Sequence, residues 1–307
     1  TRLSTLVPYM AGGSADLAGS AAPPIVKGVG IVGPAAGDGV DGFAGRNIHF
    51  GVREHAMGSI ANGMALDGTF LPYCGTFLIF SDYMRPSIRL AALQKARTLF
   101  VFTHDSIFVG EDGPTHQPVE QIDSLRVIPG TTLFRPADGV ETAMAYAWYL
   151  QRAGGPVVLS LTRQGLPALE RPADFSPERV WDGAYVVSEP EGKPDVVLLA
   201  TGSEVSLAVD AAAELAGDGL RARVVSMPCV ELFLELDGAE QDAVLPDDGT
   251  PIVAIEAGRG ETLRRFVGRR GLVIGMERFG ASAPYQALAE HFGFTPRAVA
   301  ERVKAHV

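Results

Sequence analysis

The sequence predicts two consecutive α/β domains, each built on a largely parallel sheet. Strand-like apolar runs alternate with helix-like segments along the chain, a pattern typical of parallel α/β sheets. The length of 307 residues suits one large domain or two of ordinary size. A segment with several prolines and little periodicity divides the chain. We therefore expect a first domain at 1–165, an ordered linker at 166–193 and a second domain at 194–307.

The elements of the first domain follow from apolar periodicity and from residues that interrupt it. After an irregular, glycine-rich stretch at 28–45, we expect helices at 53–66 and 76–93. Pro86 should kink or split the second of these helices, because proline lacks the N–H that a helix interior needs. Buried strands are expected at 99–103, 132–135 and 156–161.

Two predicted capping boxes mark helix starts. In such a box a polar side chain before the helix and a glutamate three residues later satisfy each other's backbone N–H groups. Asp138 and Glu141 fit this pattern, and so do Thr201 and Glu204, which precede a helix at 205–216. The other elements expected in the second domain are strands at 196–200, 223–226, 252–256 and 272–274, and helices at 284–292 and 296–306.

Composition argues against several classes of partner. The chain has 26 Lys and Arg residues against 36 Asp and Glu, a net charge of -10, which disfavours nucleic acid. No apolar run reaches the roughly 18 residues that span a bilayer, and no signal peptide is visible, so we expect no membrane partner. Cys74 and Cys229 have no metal-binding spacing and fit free thiols in a reducing compartment. These features predict a cytoplasmic protein.

The segment at 104–118, H-D-S-I-F-V-G-E-D-G-P-T-H-Q-P, concentrates the polar chemistry of the first domain. It follows the strand expected at 99–103, and open α/β sheets bind ligands at the carboxyl ends of their strands. Histidine exchanges protons near neutral pH, and nearby carboxylates tune it. Taken alone, the segment fits a solvated acidic loop, a proton-transfer site or a metal hydrolase with the ligands His104, Asp105, Asp112 and His116.

The order of these residues resembles the substrate loop of the transketolases, which are thiamine-diphosphate enzymes of sugar metabolism. Three further motifs carry the same resemblance. They are G-G-S-A-D-L-A-G-S at 12–20, F-G-V-R-E-H-A-M-G at 50–58 and F-x-x-F-x-x-Y at 77–83. Four motifs in this order are far more specific than any one of them.

The resemblance implies a thiamine-diphosphate site. In this family Glu54 would hydrogen-bond the pyrimidine N1′ and so promote proton removal from the cofactor, and Asp16 would face the cofactor. The pyrimidine ring would lie in an aromatic pocket of Phe77, Phe80 and Tyr83, since a flat ring needs apolar faces and exclusion of water. No metal ligand is expected in this chain.

The resemblance also implies a sugar-phosphate site. Ser20, His104 and Arg163 would hold the phosphate, and a guanidinium suits phosphate because its planar fork makes paired, charge-assisted hydrogen bonds. Asp112 would bind a substrate hydroxyl, and His116 would lie near oxygens of the reacting carbons. Glu54, Asp112 and His116 are thus the expected catalytic residues.

The second half is similar to the C-terminal domain of the same family, through L-L-A-T-G-S-E-V at 198–205, V-V-S-M-P at 224–228 and F-G-A-S-A-P at 279–284. The chain is therefore expected to be the C-terminal half of a transketolase, without the N-terminal domain that binds Mg²⁺ and the diphosphate. It would be either a fragment of a full-length enzyme or one subunit of a split one. The implied reaction transfers a two-carbon ketol unit between sugar phosphates. The expected partner is a second copy or an N-terminal half, and the isolated chain should be inactive.

Other interpretations stay open at this point. A dihydroxyacetone synthase or the beta chain of a 2-oxo-acid dehydrogenase would share the predicted fold and the thiamine cofactor. The chain could also be a catalytically silent dimerisation module, or the metal hydrolase described above.

Overall fold

The computed structural model describes residues 2–15, 17, 19, 30–33 and 43–307, without the side chains of Arg2 and Ser4. It contains a six-stranded parallel sheet followed by a five-stranded sheet that is parallel except for one edge strand. Helices accompany both sheets. The predicted fold class of two consecutive α/β domains is confirmed.

The first sheet has the strand order β2-β1-β3-β4-β6-β5. Its strands are β1 (Met10–Ser14), β2 (Asn47–His49), β3 (Leu71–Phe77), β4 (Leu99–Thr103), β5 (Thr132–Phe134) and β6 (Val157–Leu161). The helices of this half are α1 (Arg2–Leu6), α2 (Glu54–Asp67), α3 (Ser81–Gln94), α4 (Gln121–Arg126) and α5 (Gly139–Gln151). Alternate residues of β4 enter two different apolar clusters, which explains why its sequence is apolar without interruption.

The second sheet has the strand order β11-β10-β8-β9-β7. Its strands are β7 (Tyr185–Ser188), β8 (Val196–Ala200), β9 (Ala222–Ser226), β10 (Ile252–Ile255) and β11 (Leu272–Ile274). The helices are α6 (Glu204–Gly217), α7 (Val230–Phe233), α8 (Gly238–Val244), α9 (Arg264–Val267), α10 (Tyr285–Phe292) and α11 (Pro296–Lys304). The edge strand β7 runs antiparallel to β9 and lies within the segment expected to be a linker at 166–193.

The helix expected at 76–93 begins later than predicted. β3 continues to Phe77, a 3₁₀ turn spans Leu78–Phe80, and α3 starts at Ser81. All seven residues of β3 are buried between β1 and β4, and these long-range pairings override the helical spacing of the aromatic residues.

Pro86 does not split α3, which runs without interruption from Ser81 to Gln94. Proline deprives the Asp82 carbonyl of its helical hydrogen bond. Both Asp82 and Pro86 are exposed, so water can satisfy that carbonyl at little cost.

Neither predicted capping box is complete. Asp138 does cap α5, accepting from the N–H groups of Val140 and Glu141, but the Glu141 carboxylate accepts from the Ala137 N–H and from side chains of the second domain. Ser203 precedes α6 without a side-chain cap, and Glu204 binds Arg135 instead. Both glutamates are buried, and they serve contacts between the domains.

A buried ionic network joins the two domains. Arg135, fully buried after β5, donates to Asp105 at 2.9 Å and also to Glu204, and it makes hydrogen bonds to the backbone and hydroxyl oxygens of Thr201. Asp105 follows β4 of the first sheet, whereas Thr201 and Glu204 follow β8 of the second. Charged groups that are buried away from water must be paired with one another. This network therefore constrains the position of one domain relative to the other.

Candidate active site

The carboxyl ends of β1, β3, β4 and β6 place the candidate site at one edge of the first sheet. Phe77 is opposite Thr103, and Thr103 is opposite Leu161 in the register of these parallel strands. Ala15, His104 and Arg163 follow three of these strand ends. The topology therefore brings together motifs that lie up to about 150 residues apart in sequence.

Two glycines allow β1 to sit inside this sheet. A Cβ atom on Gly12 would lie 1.8 Å from the carbonyl oxygen of Tyr73, and one on Gly13 would lie 1.8 Å from that of Ile48. Any larger residue would push β1 away from β3 or β2. The glycines of the G-G-S-A-D-L motif thus have a packing role in addition to the resemblance they carry.

Glu54 lies at the wall of a cavity of about 440 Å³. It is the first residue of α2 and is only 9% exposed. The other lining residues are apolar or aromatic: Ala15, Leu17, Val52, Phe80 and Tyr83. Among the lining residues that the structure describes, Glu54 carries the one carboxyl group, which suits a flat ring that has one polar edge.

The predicted aromatic residues form a continuous row beside this cavity. Phe80 stacks between Phe77 and Tyr83, with ring centroids 6.3 and 6.2 Å apart. Phe77 also stacks on His104 at 3.8 Å, and Phe80 meets the edge of His116 at 5.7 Å. Phe80 and Tyr83 line the cavity, and Phe77 lies between Phe80 and His104.

His104 lies near several charged side chains. Its backbone φ of 63° is left-handed, a conformation that costs energy and often occurs at functional sites. Its Nδ1 is 2.8 Å from the Thr103 hydroxyl. Burial and the nearby Arg163 lower the pKa of His104, while Asp112 and Asp105 oppose this shift. A lowered pKa favours the neutral imidazole, which can both accept and donate a hydrogen bond.

The loop at 110–117, which we call the substrate loop after the family motif that it resembles, carries Asp112 and His116 toward these side chains. Gly110 and Gly113 have φ values of 85° and 78°, which residues with a side chain rarely adopt. Asp112 is exposed and His116 is half-buried, with its Nδ1 2.9 Å from the Thr115 hydroxyl. The guanidinium of Arg163 approaches Gly110, with Nη1 3.9 Å from the position a Cβ would occupy.

The structure thus brings together eight of the ten residues named from the sequence: Glu54, Phe77, Phe80, Tyr83, His104, Asp112, His116 and Arg163. Asp16 and Ser20 lie outside the described residues. The sequence reasoning missed the apolar lining of Ala15, Leu17 and Val52. The signal was available, since each lies within or beside a motif and flanks a polar residue of it.

The four residues named as ligands of a metal hydrolase, His104, Asp105, Asp112 and His116, do not form a metal site among the described residues. Asp105 is 1% exposed, and its carboxylate accepts hydrogen bonds from Arg135 at 2.9 Å and from Ser160 at 3.3 Å. Within the described ranges, no group of three or more His, Cys, Asp or Glu residues is arranged to hold a metal ion.

In that same part of the chain, no helix has the length and hydrophobicity needed to cross a bilayer.

Comparisons with known proteins agree with the arrangement of both domains. Residues 3–168 match the family described as "Transketolase, pyrimidine binding domain", and residues 183–295 match "Transketolase-like TK C-terminal domain". The transketolase of Aquifex aeolicus is 51% identical over 98% of this chain and 43% of its own length.

Two solved structures extend the comparison. A transketolase from Pichia stipitis in complex with sedoheptulose-7-phosphate has a TM-score of 0.91 and 42% identity, over 99% of this chain and 44% of the other. A split-gene transketolase, described as an inactive beta4 tetramer, has a TM-score of 0.75 and 25% identity, over 99% of this chain and 94% of the other. The chain therefore spans less than half the length of the first two relatives but nearly all of the third. It belongs to the transketolase family, within which it corresponds to the pyrimidine-binding and C-terminal domains.

Proposed function

We propose that this chain supplies the pyrimidine end and the sugar-phosphate end of a thiamine-diphosphate site, in an enzyme that transfers a two-carbon ketol unit between sugar phosphates. The observation that carries the proposal is the position of Glu54, buried at the start of α2 on the wall of an apolar and aromatic cavity. A further domain would complete the site by binding Mg²⁺ and the diphosphate.

The cavity residues fit one end of this cofactor. Phe80 and Tyr83 offer aromatic faces to an aminopyrimidine ring, and Glu54 offers a carboxyl group to a ring nitrogen. A diphosphate needs cationic or metal ligands, and the lining residues that the structure describes include none of them. When bound, thiamine diphosphate supplies a carbon nucleophile that allows bonds next to a carbonyl carbon to be broken and formed.

The residues of this chain would bind and orient the cofactor and the substrate, and they would exchange protons with them. Glu54 holds a proton at the pyrimidine nitrogen, and the apolar wall keeps water from that hydrogen bond. His116, on the substrate loop and in contact with the Phe80 ring at the cavity, would contact substrate oxygens near the reacting carbons. Asp112 accepts a hydrogen bond from a sugar hydroxyl, and His104 with Arg163 binds the phosphate.

An exposed apolar surface on α2 and α3 is proposed to pair with a second copy of the chain. Tyr83, Leu90 and Leu93 lie on one face of α3 and are 44–70% exposed, and Ile60 and Leu66 of α2 are about half exposed. A Cβ on Gly63 of α2 would meet no atom within 4 Å, so another backbone can approach there. The tetramer formed by the split-gene relative, a chain of similar extent, supports pairing between copies.

The test of this proposal begins with the 307 residues alone. Titration calorimetry with thiamine diphosphate and Mg²⁺ should detect weak binding or none, and ketol transfer should be absent, because the ligands for the diphosphate lie elsewhere. Joining the N-terminal part of the Aquifex aeolicus relative to this chain should restore both. Tight Mg²⁺-dependent binding to the 307 residues, or a folded and assembled fusion without transferase activity, would contradict the proposal.

Assembly supplies the control for that experiment. In the fusion, Leu93→Asp should reduce dimer formation and activity together, since it places a charge in the proposed interface. Val127→Asp is matched in type and exposure, at 63%, but lies outside α2 and α3 and should change neither. Size-exclusion chromatography with light scattering reports the assembly of each variant.

Arg163→Ala should weaken the binding of phosphorylated sugars in the completed enzyme. Loss of a charged hydrogen-bonding partner typically costs about 1.5–3 kcal/mol, which corresponds to a roughly 10- to 100-fold rise in KM. An unphosphorylated substrate should be affected far less. Because Arg163 contributes to lowering the pKa of His104, the variant should also raise that pKa in an NMR titration. Arg179→Ala, which removes another exposed arginine, should leave both quantities unchanged; equal losses for both substrates would make Arg163 structural.

A further inference from the structure

The substrate loop of the first domain is anchored in the core of the second. Ile107 and Phe108, just before it, form a 3₁₀ turn whose side chains belong to the apolar cluster under the second sheet. The ring of Phe108 meets the edges of Tyr285 and Phe294, with centroids 6.5 and 6.2 Å apart. The residues immediately before the loop are therefore packed in the core of the second domain, and the loop with Asp112 and His116 starts from there.

Gln117 closes the far end of the loop. Its side chain is 1% exposed, and its Nε2 donates to the carbonyl oxygens of Gly110 and Ala281, each at 2.8 Å. Since both neighbours are carbonyl oxygens, only the amide nitrogen can face them. One side chain thus joins the two ends of the substrate loop to each other and to the second domain.

The segment at 280–283, which we call the clamp loop, is shaped around these contacts. A Cβ atom on Gly280 would lie 1.7 Å from the Gln117 side-chain oxygen, so only glycine fits there without displacing Gln117. The Ser282 hydroxyl donates to the Glu111 carbonyl oxygen at 2.6 Å. The Ser282 Cβ is also 3.3 Å from the position of a Cβ on Gly113.

We propose that the clamp loop of the second domain positions Asp112 and His116 for the sugar substrate, with Gln117 as the positioning residue between them. The inference rests on the proposed function for its consequence in catalysis, but its structural part stands without it. Substrate-binding side chains on a loop with two left-handed glycines need external contacts to hold one conformation, and the clamp loop provides these contacts from another domain.

Gly280→Ala tests the structural part on the 307-residue chain. The added methyl group should push Gln117 out of its hydrogen bonds. Amide hydrogen exchange at 110–117 should then become at least about tenfold faster, while the strands of both sheets keep their protection. Gly217→Ala is the matched control, because a Cβ there would meet no atom within 4 Å.

Two further variants keep the test decisive if Gly280→Ala fails to fold. Ser282→Ala changes an exposed side chain and removes only the bond to Glu111, so it should raise exchange around 111–113 in a folded protein. In a Gln117→Ala background, Gly280→Ala should change the exchange rates little further, because the Gln117 side chain that the added methyl group would strike is absent. Unchanged exchange at 110–117 in both Gly280→Ala and Ser282→Ala would overturn the proposal.

The completed enzyme tests the consequence for catalysis. Gly280→Ala should lower kcat/KM for sugar phosphates by roughly 10- to 100-fold, as small misplacements of substrate-binding groups do. Its affinity for thiamine diphosphate should stay the same, since Glu54 and the cavity are untouched. Faster loop exchange with unchanged kcat/KM would refute positioning. A wild-type enzyme without ketol transfer would refute the proposed function and leave the effect on loop exchange standing.

Discussion

Replacing Glu54 with glutamine in the completed enzyme should lower turnover by roughly 10²–10⁴-fold, the usual effect of losing a proton-transfer partner. Glutamine keeps the size of the side chain and can still form a hydrogen bond, but it cannot exchange a proton with the pyrimidine nitrogen. The measurement is steady-state turnover at saturating thiamine diphosphate and Mg²⁺. A variant nearly as fast as the parent enzyme would remove Glu54 from the mechanism.

The control for Glu54→Gln is Asp82→Asn on the neighbouring helix. Both acidic residues lie in the first turn of a helix, and each substitution replaces a carboxyl group with an amide where the helix N-terminus favours an acidic side chain by about 0.3–1 kcal/mol. The two variants should therefore lose similar stability in thermal unfolding. Only Glu54→Gln should lose turnover, because Asp82 does not line the cavity.

Replacing Arg135 with methionine should destabilise the chain by about 3–5 kcal/mol, the usual effect of removing one partner of a buried ion pair. Methionine fills a similar volume, but it leaves the carboxylates of Asp105 and Glu204 buried without their cation. Urea unfolding monitored by circular dichroism measures the loss. Because both domains share this network, we expect the variant to unfold in two transitions in place of one.

The pH dependence of this loss separates an unpaired charge from poor packing. Burial already raises the pKa of Glu204, and Arg135 opposes that shift. In Arg135→Met the folded-state pKa should rise further. A carboxyl group with a raised folded-state pKa favours folding below its unfolded value, and that contribution disappears as the pH rises through the folded value. The destabilisation should therefore be smaller at pH 5 than at pH 8.

Arg97→Met provides the matched comparison for Arg135→Met. Arg97 donates to the backbone carbonyl oxygens of Tyr149 and Leu150, and it has no ion pair with a carboxylate in the described part of the chain. Its loss should cost about 0.5–1.5 kcal/mol per hydrogen bond and show little dependence on pH. If Arg135→Met showed the same small loss of stability and the same weak pH dependence as Arg97→Met, charge pairing in the buried network would not contribute to stability.

The sequence alone predicted those features whose information lies in neighbouring residues. β4 and β11 have the predicted bounds, because short uninterrupted apolar runs between turn residues identify buried strands. The same holds for the candidate site. Glu54, His104 and Arg163 each lie in a compact motif, and the carboxyl ends of parallel strands bring such motifs to one edge of the sheet.

Only the tertiary structure decided the features that depend on distant partners. β3 is a strand because β1 and β4 pair with it on both sides, although its last residue begins an aromatic spacing typical of a helix. Glu141 and Glu204 follow the local pattern of capping residues, yet each binds groups of the other domain. The free energy of desolvating a carboxylate exceeds that of a helix cap, so burial and the nearest buried cation or hydroxyl decide where the side chain points. Gln117 and Gly280 are 163 positions apart, and their contact exists only because the second domain packs against the substrate loop.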